Sequence, residues 1–174
     1  MVGGGHERRL RVARAGMDAT LRAAQGRADL RAAHAGGALA GVLLALPPFG
    51  FPLPPPGLAV QLRTFLRQGP GVARRWREIF DVLRAHHPED GSAYLSLLAV
   101  DPDRQGRGIG SRLLASWLAD VDAAGQPAWL ETSRAENLAL YRRHGFEVRR
   151  ELALLGVPVW LMARSARRNQ SDTP

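Results

Sequence analysis

The segment Val100–Ser111, VDPDRQGRGIGS, places glycines at 106, 108 and 110 between an apolar run and a helical stripe. Tyr94–Val100 is nearly continuous in apolar residues, as expected of a strand buried on both faces. Ile109, Leu113, Leu114, Trp117, Leu118 and Val121 then recur at helical spacing, and Gly125-Gln126-Pro127 is a stop signal. Strand, glycine turn and helix in that order restrict the chain to an α/β or α+β fold with a mixed sheet. Glycine turns the backbone at little steric cost and lets a ligand approach the amides closely. The free N–H groups of the helix's first turn, with about half a positive charge from the dipole, then form an anion site. Arg104 and Arg107 add charged donors.

The rest of the chain supplies elements for such a fold. Residues 6–27 read as a helix with Leu10, Ala13, Met17, Leu21 and Ala24 on one face. Leu30–His34 and Ala38–Leu46 read as strands joined at Gly36–Gly37. Pro47–Gly57 contains half of the 12 prolines, a stiff connector whose Phe49 and Phe51 are expected to cover the core or a substrate pocket. Helices are predicted over 58–68 and 72–86, the second with Val72, Trp76, Ile79, Phe80 and Leu83 toward the core. Ala128–Glu131 is a short strand, and Ser133-x-x-Glu136 a capping-box start for a helix to about Arg143. Phe146–Leu154 and Val159–Arg164 form a final hairpin around Gly156-Val157-Pro158. One domain over residues 1–164 and a flexible tail over 165–174 are expected.

Composition removes several functions. With 174 residues, the chain can bury roughly two-thirds of its unfolded surface. Every basic residue is arginine, so a P-loop lysine and a Schiff-base lysine are excluded. A Rossmann fingerprint would want glycine or alanine where Ser111 stands. Without cysteine there is no thiolate metal site and no thiol nucleophile, and no metal is expected. The net charge of +8 suits nucleic acid, an anionic membrane or a polyphosphate ligand. No basic-aromatic interleaving favours a nucleic acid, and no run approaches the ~20 apolar residues of a membrane span. The N-terminus lacks the apolar core of a secretory signal, so a cytoplasmic protein is expected.

VDPDRQGRGIGSRLL resembles the coenzyme-binding motif of the GNAT superfamily of N-acetyltransferases, in the form Val-x-Pro-x-x-Gln-Gly-x-Gly-x-Gly. Glu131-Thr132-Ser133 and Asn137-x-x-x-Tyr141-x-x-x-Gly145-Phe146 resemble the second half of that pattern, one helix and one strand further on. The resemblance is strong over 92–164, and 30–90 resembles a bacterial subgroup. It implies the GNAT fold, a central mixed, mostly antiparallel β-sheet flanked by helices, with a V-shaped splay between two central strands. It also implies acetyl-CoA (coenzyme A) as donor and an amine that attacks the thioester directly in a ternary complex.

The same resemblance assigns roles residue by residue. Main-chain groups of Leu98, Ala99 and Val100 would meet the pantetheine arm and supply the oxyanion donor. Arg104, Gln105, Gly106, Arg107, Gly108, Ile109, Gly110 and Ser111 would hold the pyrophosphate. Thr132, Asn137, Leu140 and Tyr141 would line the rest of the coenzyme site, with Tyr141 as general acid. A free tyrosine, with pKa about 10, is protonated at neutral pH and can donate. For the base, Glu131 at its strand end stands beside Glu78, His86 and His87. The acceptor is a small-molecule or peptide amine. Two departures from the family stand out: Ser92-Ala93 replaces the subgroup's His-Trp, and one helix precedes the Leu30 strand where the family opens with a strand. The first strand is then missing, or supplied by a partner in a homodimer. A GNAT-fold module that binds acyl-CoA without turnover is the alternative function.

Overall fold

A computed structural model describes residues 3–53, 62, 66 and 69–167. Its contacts divide the chain into two compact units, residues 1–27 with 52–87 and residues 28–51 with 88–174.

The first unit contributes α1 (Gly3–Ala24) and α2 (Pro70–His86). Pro70 stands at the first helical positions of α2, where a missing N–H costs nothing, so the helix opens two residues before the expected 72. The expected inward stripe of α2 is not realised. No residue of α2 is buried, and Trp76 and Phe80 stack on each other with centroids 5.8 Å apart while 43% and 50% exposed. Of the helix predicted over 58–68 only Leu62 and Leu66 are described, both helical.

The second unit is a six-stranded sheet in the order β1-β2-β3-β4-β6-β5. Its strands are β1 (Asp29–Ala35), β2 (Ala38–Leu46), β3 (Ala93–Val100), β4 (Ala128–Thr132), β5 (Glu147–Leu154) and β6 (Val157–Arg164). Neighbours run antiparallel except β3 and β4, which are parallel. The architecture is thus the mixed, mostly antiparallel sheet with flanking helices that the motifs imply.

Helix α3 (Ile109–Ala123) buries the expected stripe of Ile109, Leu113, Leu114, Trp117, Leu118 and Val121. These pack with Leu43, Ala45, Leu95, Leu130 and Met162 into one core on one face of the sheet. Each such aliphatic side chain contributes about 1.5–3 kcal/mol. Close approach is needed at Gly41, where a Cβ would lie 3.0 Å from Ile109 Cγ2 and 3.1 Å from the Ala99 carbonyl oxygen. Glycine there lets the first turn of α3 settle on β2. The helix ends at Gly125 (φ 61°), with the Gln126 N–H donating to the Val121 carbonyl at 3.0 Å, a Schellman closure.

Two boundaries differ from the sequence reading. The β5–β6 turn is Leu155–Gly156, both at positive φ, rather than Gly156–Pro158. Pro158 lies inside β6 because it falls beyond the last β4 pair, Thr132 with Trp160, where no partner needs its missing N–H. The capping box at Ser133 does not form. Ala135–Asn137 is a 3₁₀ turn leading into α4 (Leu138–Arg143), and no side chain caps either. The Arg134 N–H donates instead to Thr132 Oγ1 at 3.3 Å, and Glu136 turns outward to Arg134. Among the described residues no helix is long and apolar enough to cross a membrane.

Candidate active site

The site begins where β3 leaves β4. The pair matches only Ala93 with Ala128, Tyr94 with Trp129 and Leu95 with Leu130. Beyond Leu95, β3 stays paired to β2 up to Val100 while β4 stays paired to β6 through Thr132. The V-shaped opening thus lies between Ser96–Val100 and Glu131–Thr132. A register shift accompanies it. Leu44 faces Leu97 and Ala45 faces Leu95, so Ser96 is an extra residue on β3. Such a bulge bends its strand and raises its twist. It also resets side-chain parity: Ala93 and Leu95, then Leu98 and Val100, all reach the α3 core. Leu98, Ala99 and Val100 therefore sit on the opened edge. The fork itself was expected, but the bulge that makes it was not.

The glycine loop runs from that edge into α3. Asp101 caps a 3₁₀ turn over Pro102–Arg104 by accepting from the Asp103 N–H at 3.0 Å. Gly106 and Gly108 have φ of 74° and 75°, a conformation that L side chains adopt only at a cost of about 1–2 kcal/mol. Gly108 is the N-cap of α3, so no side chain caps the amides of Ile109, Gly110 and Ser111. Around Gly106 the space is open: an added Cβ would meet nothing within 4 Å. Uncapped amides beside open space are what an anion needs.

The side chains of the loop divide their tasks differently from the sequence reading. Arg104 does not extend toward that space. Its guanidinium donates to the Ala35 carbonyl and lies 3.6 Å from Asp101, tying the loop to the β1–β2 turn. Gln105 donates from Nε2 to the Val100 carbonyl at 3.1 Å. Arg107 is exposed, with one weak contact to the Asp103 carbonyl at 3.4 Å. Arg112, which sequence reasoning passed over, curls back to the Arg107 carbonyl at 3.1 Å and lies against Gly108. It stands one turn into the helix, and only the fold brings it to the loop.

Tyr141 lies in α4 on the same face of the sheet as α3. Its ring is buried in the α3 core and meets Phe146 edge-on, centroids 6.1 Å apart. Its hydroxyl makes no hydrogen bond within the described residues, and burial pushes its pKa up. Asn137 opens α4 half-buried, Leu140 packs on the core, and the Thr132 hydroxyl is occupied by the Arg134 N–H. The two halves of the motif are joined by a contact the sequence did not disclose. Ser111 Oγ, in the first turn of α3, and His144 Nε2, one residue past α4, are 2.7 Å apart. Burial, then the charges of Arg143 and Arg164, hold the His144 pKa low. The His144 carbonyl in turn accepts from Arg164 Nε at 3.0 Å.

The opposite face of the sheet carries Glu131, one step past the last β3–β4 pair. Tyr94 donates to Oε2 at 2.6 Å and the Trp129 indole donates to Oε1 at 2.7 Å. Burial raises the Glu131 pKa, while the Tyr94, Trp129 and backbone hydrogen bonds act against it. Phe51 packs edge-on against Tyr94 at 4.9 Å. Phe49 does not cover the core. It is 80% exposed at φ 59°, with only its ring edge against Gly91. Of the other candidate bases, His86 spends Nδ1 on the Val82 carbonyl of its own helix at 2.8 Å, and Glu78 is exposed on α2. A cleft of about 250 Å³ opens at the far end of β4, beside Pro127 and Trp129. Of its polar residues, Asp90 is committed to Ser92 and Arg164 to Asp122.

The comparisons agree with this geometry. Residues 70–148 match the family model described as an acetyltransferase (GNAT) domain. A mycothiol acetyltransferase from Clavibacter michiganensis subsp. michiganensis is 46% identical over 61 residues, 33% of this chain and 20% of that protein. A mycothiol acetyltransferase from Nocardioides sp. is 37% identical over 93 residues, 45% of this chain and 29% of that protein. The chain thus spans less than a third of the length of either relative. A solved structure titled histone acetyltransferase HPA2 and related acetyltransferase, from Corynebacterium glutamicum, superposes with a TM-score of 0.68 at 20% identity, covering 91% of this chain and 76% of that one. At that identity the likeness speaks for the fold. The fold and the sequence match through the glycine loop thus both resemble a GNAT acetyltransferase domain, matched over residues 70–148.

Proposed function

We propose that the chain is an acyltransferase that moves an acetyl group from acetyl-CoA to an amine by direct attack. One observation carries this reading: β3 parts from β4 after Leu95, and the same segment runs on into the glycine turn at Gly106–Gly108 that opens α3. An open strand edge and an uncapped helix start on one continuous segment suit a ligand with a peptide-like arm and a pyrophosphate end. Acetyl-CoA has both, and supplies an activated thioester carbonyl. The edge of Leu98–Val100 accepts the arm and offers an N–H to the acyl oxygen, a preorganised donor worth about 3–4 kcal/mol. The first turn of α3 receives the pyrophosphate, with Arg107 and Arg112 at hand. Tyr141, kept protonated by burial, donates to the departing sulfur. Glu131 takes the proton from the acceptor's ammonium. The partial match to mycothiol acetyltransferases supports a small-molecule amine as acceptor.

Thermal melting with acetyl-CoA and free-thiol release across an amine panel test the reading. Ligand at 100 times its Kd adds about 2.7 kcal/mol of stability. Thiol release then depends on amine, and Tyr141→Phe lowers kcat by about a hundredfold or more. Absence of stabilisation at millimolar acetyl-CoA overturns the proposal. Stabilisation without thiol release from any amine replaces it with the module that binds without turnover.

A further inference from the structure

We infer that Tyr94 and Trp129 are positioning residues that clamp the two oxygens of Glu131 and set the proton affinity of that carboxylate. This rests on the reading of Glu131 as the base. Tyr94 and Trp129 are register partners across β3 and β4, in the second of the three pairs these strands make. Alternation along a strand puts Glu131 on the same face as Trp129, two residues on. The three side chains therefore converge at the crotch of the fork, and the carboxylate is the group nearest the opening.

The geometry of the clamp is specific. The phenol reaches Oε2 at 2.6 Å, within the range of an O–H donor on an ionised carboxylate, and the indole reaches Oε1 at 2.7 Å. Indole N–H is only ever a donor. Tyr94 is buried to 8% exposure with Phe51 against its ring, and its pKa is pushed well above 10, first by burial and then by the charge of Glu131. Neither donor is lost at working pH. A carboxylate has about four lone-pair sites, so the two side-chain donors and the backbone hydrogen bond fix its plane and still leave a site for an incoming N–H. From β6 the residue paired with Glu131 is Leu161, apolar and 1% exposed, so among these strands Tyr94 is the titratable group that faces it.

Burial alone would drive Glu131 toward the neutral acid, which is useless as a base. The two donors favour the ionised form and oppose that drift. The result is a carboxylate more basic than a free one, with its two side-chain donors opposing the effect of burial. In the transfer, the acceptor's ammonium N–H bond breaks, its electron pair stays on nitrogen for the attack, and the proton moves to a free Glu131 lone pair.

The test compares Tyr94→Phe, Trp129→Phe and Glu131→Gln with the unaltered protein. Removing one donor raises the Glu131 pKa further, so the acid limb of the pH profile of kcat/KM moves up. A shift of about one pH unit is expected for each Phe variant, with acetyl-CoA affinity within about twofold. The carbon-13 titration of the Glu131 carboxyl moves by the same amount and needs no turnover. Phe variants that melt normally and leave both the limb and the carboxyl titration in place overturn the clamp. Glu131→Gln separates the two ideas. Loss of about a hundredfold or more supports the base, and full activity in Glu131→Gln overturns the base and the clamp's catalytic role with it.

Discussion

Replacing Arg164 by methionine removes the cation that joins three elements of the second unit. Arg164 ends β6, is 4% exposed, and forks onto Asp122 of α3 with contacts of 2.6 and 2.8 Å. Its Nε donates to the His144 carbonyl just past α4, and its side chain lies against Gly145, held at φ 87°. Breaking a buried pair by deleting one partner costs about 3–5 kcal/mol. The Asp122 side chain keeps 24% of its exposure, so water softens the loss and the lower end applies, about 3 kcal/mol. In a chain of this size that lowers Tm by roughly 6–12 °C.

The pH dependence gives the sharper check. The Arg164 hydrogen bonds hold the Asp122 pKa below its ordinary value, against burial. A depressed carboxylate contributes stability that is present above its unfolded pKa of about 3.9 and is lost as pH falls through the folded value. The gap between the two proteins should thus be full at pH 7 and close below about pH 3.9. Urea melts followed by circular dichroism at pH 7 and at about pH 3 measure it. A gap under about 1 kcal/mol at pH 7, or one as large in acid, refutes the argument. On the proposed reading of the glycine loop, the variant should also bind acetyl-CoA more weakly, because Arg164 holds His144 and His144 holds Ser111.

Two further changes are informative. Leu155→Asn should stabilise by about 0.5–1 kcal/mol in thermal melts, since Leu155 is 46% exposed and held at φ 52° in a two-residue turn that suits Asn-Gly; a lower Tm would contradict it. Gly108→Ala should cost about 1–2 kcal/mol from its φ of 75°. The new Cβ, 3.2 Å from Arg112 Nη1, should also weaken acetyl-CoA at least several-fold by calorimetry, and unaltered affinity would remove the loop from the phosphate role.

What the sequence made legible follows the range of the forces involved. The α3 stripe and its stop at Gly125 were readable because helical periodicity and glycine caps act within a few residues. The glycine loop was readable for the same reason. Side-chain commitments were not. That Arg104 would reach the Ala35 carbonyl depends on how a loop meets a hairpin 69 residues away in sequence. Tyr94 meeting Glu131 depends on the register of two strands separated by 37 residues. Amphipathic spacing also overstated burial on α2, where Trp76 and Phe80 cover one another instead. Periodicity reports which face is apolar, and only tertiary structure decides whether anything covers it.

The fork also explains why the proposed acid and base need not compete. Ala93, Leu95, Ala128 and Leu130 point into the α3 core together with Tyr141, while Tyr94, Trp129 and Glu131 occupy the alternate positions. Tyr141 and Glu131 thus belong to opposite faces of one sheet. In a fully paired sheet the backbone ladder would seal one face from the other. Here the seal ends after Leu95, and the Ser96 bulge turns the strand away while returning Leu98 and Val100 to the core. On the proposed reading, a group lodged in that gap would meet Glu131 from one face and Tyr141 from the other. Removal of a proton from the amine and delivery of a proton to the sulfur can then proceed on separate sides. Two groups of opposite function kept apart in this way can have their pKa values tuned independently, each by its own burial and its own donors.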